Sequence, residues 1–332
     1  MIISRTPFRI SLFGGGTDFP AWFRENGGAV VGTAIDKYCY ISCRHLPPFF
    51  EHKHRIVYSH IENVRTIEEI EHPAVRAVLG WAGVERGLEI HHDGDLPARS
   101  GLGSSSSFTV GLVHALRALG GRYISKEELA QSAIHIEQNI IKENVGSQDQ
   151  ISAAFGGFNR IEFRRNSTFE VSPVILSPER IDELQSHLML CFTGFSRIAS
   201  EVARSTIDNL KKRETELKLM KEMVGEAINL LQNPHTSIDE FGKLLDQSWK
   251  HKRSLADNIS TPEIDHIYDE AMRAGAIGGK ILGAGGGGFI LLFAKPERQA
   301  AVRERLSKLI HVPFRFEDSG SRVVLYQPNG LT

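Results

Sequence analysis

Apolar and polar residues alternate from residue 2 to residue 13, which predicts a β-strand ending at the three glycines Gly14 to Gly16. The spacing of apolar residues then predicts a short helix over FPAWFREN, residues 19 to 26. The other elements predicted before residue 100 are strands at 29–45, 55–59 and 87–93, and a helix from His72-Pro73 to about Ala82. The first hundred residues are therefore predicted to mix strands with helices.

Residues 96 to 120 combine a glycine and serine loop with an apolar helix. Gly101 and Gly103 permit backbone angles that a side chain would disfavour, and the serines that follow suit a helix N-terminus. The loop lacks the lysine of a Walker A loop and the third glycine of a dinucleotide fingerprint. Because helix N-termini attract anions, the loop is either an ordinary serine-capped helix start or a phosphate site.

A second informative helix begins at Ser125, which forms a capping box with Glu128. Isoleucine, leucine and alanine fill one broad arc of this helix to about Asn144, and Glu137 falls in the middle of that arc. An unpaired buried carboxylate is costly, so Glu137 is expected to have a strong partner. That partner is either an arginine in a structural ion pair or a bound magnesium ion, and we favour the magnesium ion.

Two further carboxylates are candidates for chemistry. Asp18 follows the triple glycine, where it can cap the next helix, face the hydroxyl groups of a polyol, or do both. Asp149 lies just after Gly146 at the start of the next element, where it is either a helix cap or a base.

The second half of the chain is predicted to contain more helix, with a buried strand at 188–194 and a helix or helix pair at 200–231. Two more helices are expected to begin near Ser237 and Thr261. Glycines interrupt the apolar run GGKILGAGGGGFILLFA, residues 278 to 294. Since glycine in a strand usually marks close backbone approach, we expect this loop to pack on the first glycine loop, with a nucleotide between them. A hairpin is expected to close the chain over residues 313 to 326.

Length and composition narrow the class of protein. The 332 residues favour two domains over one core, and Ser172-Pro173 marks the predicted boundary between residues 1–172 and 173–332. Lysine plus arginine total 39 and aspartate plus glutamate 40, so no overall charge recruits nucleic acid or a membrane, and any anion must be held locally. Three scattered cysteines and the lack of a long apolar run favour a cytoplasmic protein. These features are compatible with a homo-oligomer as well as with a monomer.

Three stretches together resemble the GHMP small-molecule kinases, the superfamily of galactokinase, homoserine kinase, mevalonate kinase and phosphomevalonate kinase. The similar stretches, in family order, are PFRISLFGGGTDFP, LPARSGLGSSSSFTV and KILGAGGGGFILL. The GGGTD form, with IDKYCYIS and KENVGSQDQISAAFGGFNRIEF, looks most like the D-glycero-D-manno-heptose 7-phosphate kinases, with fucokinase-type sugar kinases next. Galactokinases carry a Glu-His pair before Thr-Asp, and this sequence does not.

The resemblance implies an α+β fold, with an N-terminal domain like the second domain of ribosomal protein S5, a ferredoxin-like C-terminal domain and an active site in the cleft between them. It also implies roles for motif residues. The residues that would bind the phosphates of ATP are Gly101, Leu102, Gly103, Ser104, Ser105, Ser106, Gly285, Gly286 and Gly287. Magnesium would be held by Glu137 and by Ser105, or Ser104 beside it. The residues that would contact the sugar are Gly15, Gly16, Thr17, Asp18 and Arg197.

By the same resemblance, Asp149 would be the carboxylate near the acceptor hydroxyl and Arg9 the cation that steadies it. The implied reaction is ATP-dependent phosphorylation of the anomeric hydroxyl of D-glycero-D-manno-heptose 7-phosphate, for nucleotide-activated heptose and surface polysaccharide synthesis. The phosphate already on the sugar would need cations. Candidates are Arg197, Lys37, Arg44, Lys53 and Arg55. The rival functions are a kinase for an unphosphorylated sugar such as fucose, and a nucleotide-binding regulator that keeps the fold without catalysis.

Overall fold

Two β-sheets form the framework of the protein in the computed structural model, which describes residues 1–98, 100–194 and 199–328. The strands are β1 (Ile2–Phe13), β2 (Gly28–His45), β3 (His54–Val57), β4 (Ile61–Val64), β5 (Leu88–Gly94), β6 (Phe158–Phe163), β7 (Phe169–Pro173), β8 (Leu188–Phe192), β9 (Ala276–Ile281), β10 (Phe289–Ala294), β11 (Ile310–Val312), β12 (Phe316–Glu317) and β13 (Arg322–Tyr326). The helices are α1 (Pro20–Asn26), α2 (Pro73–Ala82), α3 (Ser104–Leu119), α4 (Lys126–His135), α5 (Gln148–Phe155), α6 (Pro178–His187), α7 (Ala199–Asn209), α8 (Glu214–Gln232), α9 (Asp239–Arg253), α10 (Pro262–Arg273) and α11 (Pro296–Arg305).

The first sheet has nine strands and is organised around β2. One side of β2 pairs with β1 along its length, and the other side pairs in turn with β6, β12 and β5. All described pairs are antiparallel except β3 with β5. In β1 the predicted alternation places Phe8, Ile10 and Leu12 in the core, and the strand ends at the predicted glycines. The apolar helix α3 packs on β1 and β2, which holds its N-terminus at a fixed position beside the end of β1.

The second sheet has four strands in the order β11-β8-β10-β9. Along the chain, β8 is followed by helices, then by β9, β10, α11 and β11, so the first and third strands of the unit lie in the middle of the sheet. This arrangement is the βαββαβ pattern of ferredoxin-like domains, here with several helices in the first crossover. The predicted α+β class and ferredoxin-like second domain are both confirmed.

The last two strands return to the first sheet, with β12 pairing with β2 and β13 pairing with β1. The expected hairpin over residues 313 to 326 is therefore wrong, because each half pairs with a distant strand rather than with its neighbour. The sequence-based division at residue 172 falls at the end of β7, but it assigns these strands to the second domain. We propose a nested division, in which the second domain is inserted between β7 and β12 of the first.

The helices follow the prediction except at one π-helical turn and at two helices that were not predicted, and the segment 200–231 matches one of its two predicted alternatives. The helix predicted from Ser125 to Asn144 is α4 followed by a π-helical turn, Ile136–Ile141, which begins one residue before Glu137. The segment 200–231 is a helix pair, α7 and α8, joined by a short 3₁₀ turn. Helices α6 and α11 were not predicted. No described helix is both long and apolar enough to cross a lipid bilayer.

Candidate active site

A cavity of about 270 Å³ lies between the two halves of the molecule, and both halves line it. The first half contributes the loop after β1, the start of α3 and the loop before α5. The second half contributes residues from the end of α9 and from the glycine loop after β9. This cavity occupies the cleft in which the sequence predicts an active site.

The two glycine loops contact each other directly. Gly101 has a φ of +85°, and a Cβ atom there would lie 2.5 Å from the carbonyl oxygen of Leu282. A Cβ atom on Gly288 would lie 2.3 Å from the carbonyl oxygen of Ser100, which accepts a hydrogen bond from the N–H of Phe289 at 3.0 Å. Side chains at these two glycines would push the loops apart, since backbone atoms stand in the way. The predicted contact between the loops is confirmed.

The part of the second loop that faces the cavity differs from the prediction. Gly283 and Ala284 line the cavity. Gly285 and Gly286 instead pack on Ile259, whose carbonyl oxygen accepts from the N–H of Gly286 at 2.9 Å. Direct phosphate binding by the glycines after Ala284 therefore stays a prediction.

The N-terminus of α3 faces the cavity. The helix starts directly after Gly103, whose φ of +75° lies in the left-handed region, and residues 103 to 106 line the cavity wall. Leu102 is fully buried instead, and its carbonyl oxygen accepts from the N–H of Arg9 at 3.1 Å. Because the aligned peptide dipoles place partial positive charge at this end of the helix, the wall suits an anion such as a triphosphate.

Arg9 and Asp149 form a bidentate ion pair at the cavity. Nε of Arg9 donates to Oδ1 of Asp149 at 2.8 Å, and Nη2 donates to Oδ2 at 2.7 Å. Nη1 of Arg9 donates to the carbonyl oxygen of Gly101 at 2.6 Å. The arginine side chain is 4% exposed and the aspartate 27% exposed, so the carboxylate is the partner that a ligand can reach. The structure thus brings together the two side chains, Asp149 and Arg9, that the resemblance pairs.

Asp18 lies on the same cavity but does not cap α1, whose N-cap is Phe19. Its Oδ1 accepts from the N–H of Gly16 at 2.9 Å, and its Oδ2 accepts from Nε2 of Gln148 at 3.0 Å. Burial raises the pKa of the Asp18 carboxyl above its ordinary value, the Gly16 N–H opposes that rise, and the charge of Asp149 adds to it. The capping interpretation is wrong, and a ligand-facing carboxylate agrees with this position.

Glu137 is buried, and its Oε2 accepts from Oγ of Ser106 at 2.9 Å and from Nε2 of Gln150. Its partners are thus hydroxyl and amide groups rather than the arginine of an ion pair, and the Thr109 hydroxyl is also close enough to lower its pKa. Its Oε1 and the Oε1 of Gln150 are buried without a hydrogen-bond partner. Burial raises the pKa of Glu137 to about 7, against the lowering effect of the hydrogen bonds it accepts.

These orphaned oxygens fit a hard cation, which prefers carboxylate and other oxygen ligands. Among the described residues, no group of three or more His, Cys, Asp and Glu side chains forms a metal cluster, so phosphate oxygens would have to complete the coordination. The serine that contacts Glu137 is Ser106, whereas the predicted Ser105 is exposed on the cavity side. Since one residue turns a helix by about 100°, the serine next along the helix faces Glu137 instead.

The remaining predicted sugar contacts are divided. Gly15 and Gly16 line the cavity, but Thr17 is fully buried and its hydroxyl donates to the carbonyl oxygens of Gly14 and Ala29 within the loop. Arg197 lies outside the described residues. Three candidate cations for the sugar phosphate pair with acidic side chains: Lys37 with Asp36, and Arg44 and Arg55 with Glu89. Lys53 lies beside Gly87, which its main chain and Cγ atom approach.

Sequence reasoning missed two buried lysines. Lys252 in the last turn of α9 lines the cavity, and Lys280 in β9 donates to the carbonyl oxygens of Ser11 and Leu12 at 2.9 Å each. Both had a signal in the sequence. Lys252 follows Trp249 by three residues on the apolar face of its helix, and Lys280 interrupts an apolar strand.

Comparison with known proteins gives the same assignment for each half of the chain. The family model "GHMP kinases N terminal domain" matches residues 65–157, and "GHMP kinases C terminal" matches residues 226–311. Together the two models cover more than half of the chain.

Similar proteins include the D-glycero-alpha-D-manno-heptose 7-phosphate kinase of Campylobacter jejuni, 29% identical over 321 residues, which are 92% of this chain and 93% of that protein. A bifunctional fucokinase/GDP-fucose pyrophosphorylase of Arabidopsis thaliana is 28% identical over 91% of this chain, but this match spans only 31% of that protein. Among solved structures, a D-glycero-D-manno-heptose 1-phosphate kinase from Bacteroides thetaiotaomicron superposes with a TM-score of 0.79 over 97% of this chain and 98% of its own, at 24% identity.

Proposed function

The chain belongs to the GHMP kinases, and from that membership we propose that it transfers the γ-phosphoryl group of ATP to the anomeric hydroxyl of D-glycero-D-manno-heptose 7-phosphate. The family makes it an ATP-dependent phosphotransferase. The choice of a heptose phosphate is the finer step, and it is supported by a relative of that name that is similar along nearly the whole chain.

One observation carries the proposal, which is the Arg9–Asp149 pair at the mouth of α3. Phosphoryl transfer asks the protein mainly to align two oxygens and to neutralise charge on the group in transfer. The helix N-terminus and residues 101–106 would hold the triphosphate, and Asp149 would stand beside the acceptor hydroxyl. Because both oxygens of Asp149 are bound by Arg9, the carboxylate is fixed in orientation, so it acts through position as much as through basicity.

Magnesium is the cofactor that the buried carboxylate fits. We propose that Glu137 and Ser106 hold it, in place of the Glu137–Ser105 pair implied by the resemblance. When bound, such an ion neutralises charge on the phosphate oxygens of the nucleotide. The protein itself keeps the Glu137 carboxylate buried. The hydrogen bonds from Ser106 and Gln150 orient that carboxylate toward the N-terminus of α3, where the phosphates would bind.

On the acceptor side, we propose that Asp18 and the backbone of Gly15 and Gly16 bind sugar hydroxyls. Gln148 holds the Asp18 carboxylate in place, and it precedes Asp149 in the same first turn. The hydroxyl-binding and transfer carboxylates are thereby fixed relative to each other. The groups that would bind the phosphate of the sugar are left unassigned.

A kinase for a free sugar such as fucose remains the second candidate, because fucokinases of two organisms are similar to this chain at 28% and 26% identity. A coupled assay of ADP release over a panel of sugars and sugar phosphates separates the two. We expect kcat/KM for the heptose 7-phosphate to exceed that for free sugars by at least about 10²-fold, the loss expected when a charged site is left unfilled. Equal values with free fucose would refute the heptose phosphate assignment.

The Asp149→Ala variant tests catalysis itself and the remaining rival, a regulator without turnover. Removing a positioned carboxylate is expected to lower kcat by about 10²-fold or more, with ATP affinity little changed. Asp182→Ala, an exposed acid on α6, is the control and should retain full turnover. Wild-type protein that binds ATP but transfers phosphate to no sugar would favour the regulator.

A further inference from the structure

Lys252 is a buried cation at the cavity, and it lies outside the three stretches that resemble the kinase family. It is 7% exposed, and its Nζ donates to the carbonyl oxygens of Ile281, at 3.2 Å, and of Gly283. An ammonium group carries three N–H donors. With two of them given to these carbonyls, one remains for a ligand in the cavity that Lys252 lines.

The surroundings of Lys252 place this donor beside the transfer centre. Among the described residues that line the cavity, the cationic side chains are Arg9 and Lys252. Arg9 already gives three N–H groups to Asp149 and Gly101, so it is largely committed to protein partners. Lys252 instead is held only by backbone carbonyls and lies within electrostatic range of the Asp18 and Asp149 carboxylates.

The attachment to Gly283 points the ammonium group to the nucleotide side of the cavity. A Cβ atom on Gly283 would lie 2.6 Å from the Cα atom of Gly101, which begins the predicted triphosphate loop. A cation bonded to the Gly283 carbonyl is therefore tied to the point where the two glycine loops meet. The cationic residues that the sequence suggested for binding the phosphate of the sugar lie in other parts of the sequence.

Building on the proposed function, we propose that Lys252 is a catalytic residue that donates a hydrogen bond to an oxygen of the phosphoryl group in transfer. In that step the acceptor oxygen bonds to the γ-phosphorus while the bond from phosphorus to the bridging oxygen of ADP breaks. The bond's electron pair leaves with ADP, and the hydroxyl proton passes to the Asp149 carboxylate. Lys252 keeps its own proton throughout and stabilises the negative charge on the non-bridging oxygens.

The acid–base behaviour of the lysine agrees with this role. Burial and, next to it, the nearby charge of Arg9 lower the pKa of Lys252, Asp18 and Asp149 oppose the shift, and the net value is about 8. The charge of Lys252 in turn helps to lower the pKa of the buried Lys280. The ammonium form therefore predominates at neutral pH. Because kcat/KM reports the pKa values of the free enzyme, the wild-type kcat/KM for ATP should fall as the pH rises through about 8.

The test compares Lys252→Met with Lys250→Met, a matched control that removes an exposed lysine from the same helix. We expect Lys252→Met to lower kcat by about 10²-fold or more, the loss seen when one donor to a developing anion is removed, with KM for ATP and sugar changed only a few-fold. The fall of kcat/KM for ATP above pH 8 should also vanish in this variant. Lys250→Met should match the wild type in both respects.

Two outcomes would overturn the proposal. One is a Lys252→Met kcat within threefold of the wild type. The other is a defect confined to KM for phosphorylated acceptors, with free sugars unaffected, which would make Lys252 a ligand of the sugar phosphate. If the variant does not fold, the wild-type profile still decides, because a kcat/KM for ATP that stays flat from pH 7 to pH 9 contradicts a required ammonium group in the free enzyme.

Failure of the proposed function gives a different result. If the wild type phosphorylates none of the sugar phosphates, the same comparison is made on the rate of ATP hydrolysis, in which water replaces the sugar. Lys252→Met should lower that rate by a similar factor while nucleotide binding, followed by calorimetry, is retained. Unchanged hydrolysis would overturn the role of Lys252 whatever the acceptor is.

Discussion

Glu137 is a carboxylate that the folded protein keeps away from water, and this has a measurable consequence for stability. Its pKa is raised by burial to about 7, whereas the same group titrates near 4.5 in the unfolded chain. A raised carboxyl pKa means that the folded state binds the proton more tightly. The stabilising contribution is therefore fully present below pH 4.5 and is lost as the pH rises through about 7.

We predict that Glu137→Gln, without metal or nucleotide, becomes more stable relative to the wild type as the pH increases from 5 to 8. The difference should approach the order of 3 kcal/mol, since each pKa unit corresponds to about 1.4 kcal/mol. Urea unfolding at a series of pH values measures it. Glu127→Gln, at an exposed position on α4, serves as the control. A Glu137→Gln effect that does not change with pH would contradict the buried carboxylate.

At the scale of single residues, the sequence predicted the features that follow from a periodic pattern or from a family motif. The burial of Glu137 followed from its place on an apolar arc, and the Arg9–Asp149 pair followed from the family motifs. The choice between Ser105 and Ser106 did not follow, because it depends on how α3 is rotated against the π-helical turn. Lys252 was missed although its spacing from Trp249 marks a buried face, since lysine in a helix usually lies in solvent.

At the scale of elements, the two glycine loops are joined backbone to backbone, which makes Gly101 a sensitive position. Alanine there would adopt a left-handed φ and would also press its Cβ against the carbonyl oxygen of Leu282. Gly121 has a similar φ of +66° but open space around it, so its alanine variant isolates the backbone cost, about 1 kcal/mol. We predict that Gly101→Ala loses more stability than Gly121→Ala and also loses kcat/KM.

Thermal unfolding and steady-state kinetics on the two variants provide the measurement. Gly121→Ala should retain the kcat/KM of the wild type, because it lies at the far end of α3 from the cavity. Similar losses of stability and kcat/KM in both variants would show that the contact between the loops has no special importance.

Most elements were predictable because their signals are local. Strand β1, helix α3 and the caps of α4 and α10 lie where alternation, apolar spacing and N-cap residues place them. The π-helical turn was not predictable from a pattern that assumes regular spacing. Strand β12 is two residues long and is defined only by its pairing with β2, so no local pattern reveals it.

At the scale of the whole molecule, Lys280 joins the two domains. Its Nζ donates to two carbonyls of β1 from within β9, and its side chain is 2% exposed. Burial, together with the charges of Lys252 and Arg9, holds its pKa well below the ordinary value. For a lysine with a lowered pKa, the stabilising contribution is fully present above the unfolded value of about 10.5 and is lost as the pH falls through the folded value.

We therefore predict that Lys280→Met costs more stability at pH 9.5 than at pH 6. At high pH the wild type keeps both interdomain hydrogen bonds without the cost of a buried charge, whereas methionine leaves the two carbonyls unsatisfied. Urea unfolding at the two pH values measures the difference, with Lys308→Met as an exposed control. A cost that is equal at both pH values, or larger at pH 6, would refute this account.

The two-domain organisation and the cleft between the domains followed from the three motifs and their order along the chain. The nested connection did not, because β12 pairs with a strand about 280 residues earlier and β13 with one about 320 residues earlier.

The nested connection also limits how the cleft can open. The main chain crosses between the domains twice, once after β7 and once before β12, so the second domain is attached at two points rather than one. A body tethered at two points retains one easy motion, a rotation about the line that joins them, whereas a single linker would permit twisting and translation as well. Substrate entry should therefore follow a single hinge axis, and each closure should return the glycine loops to the same register.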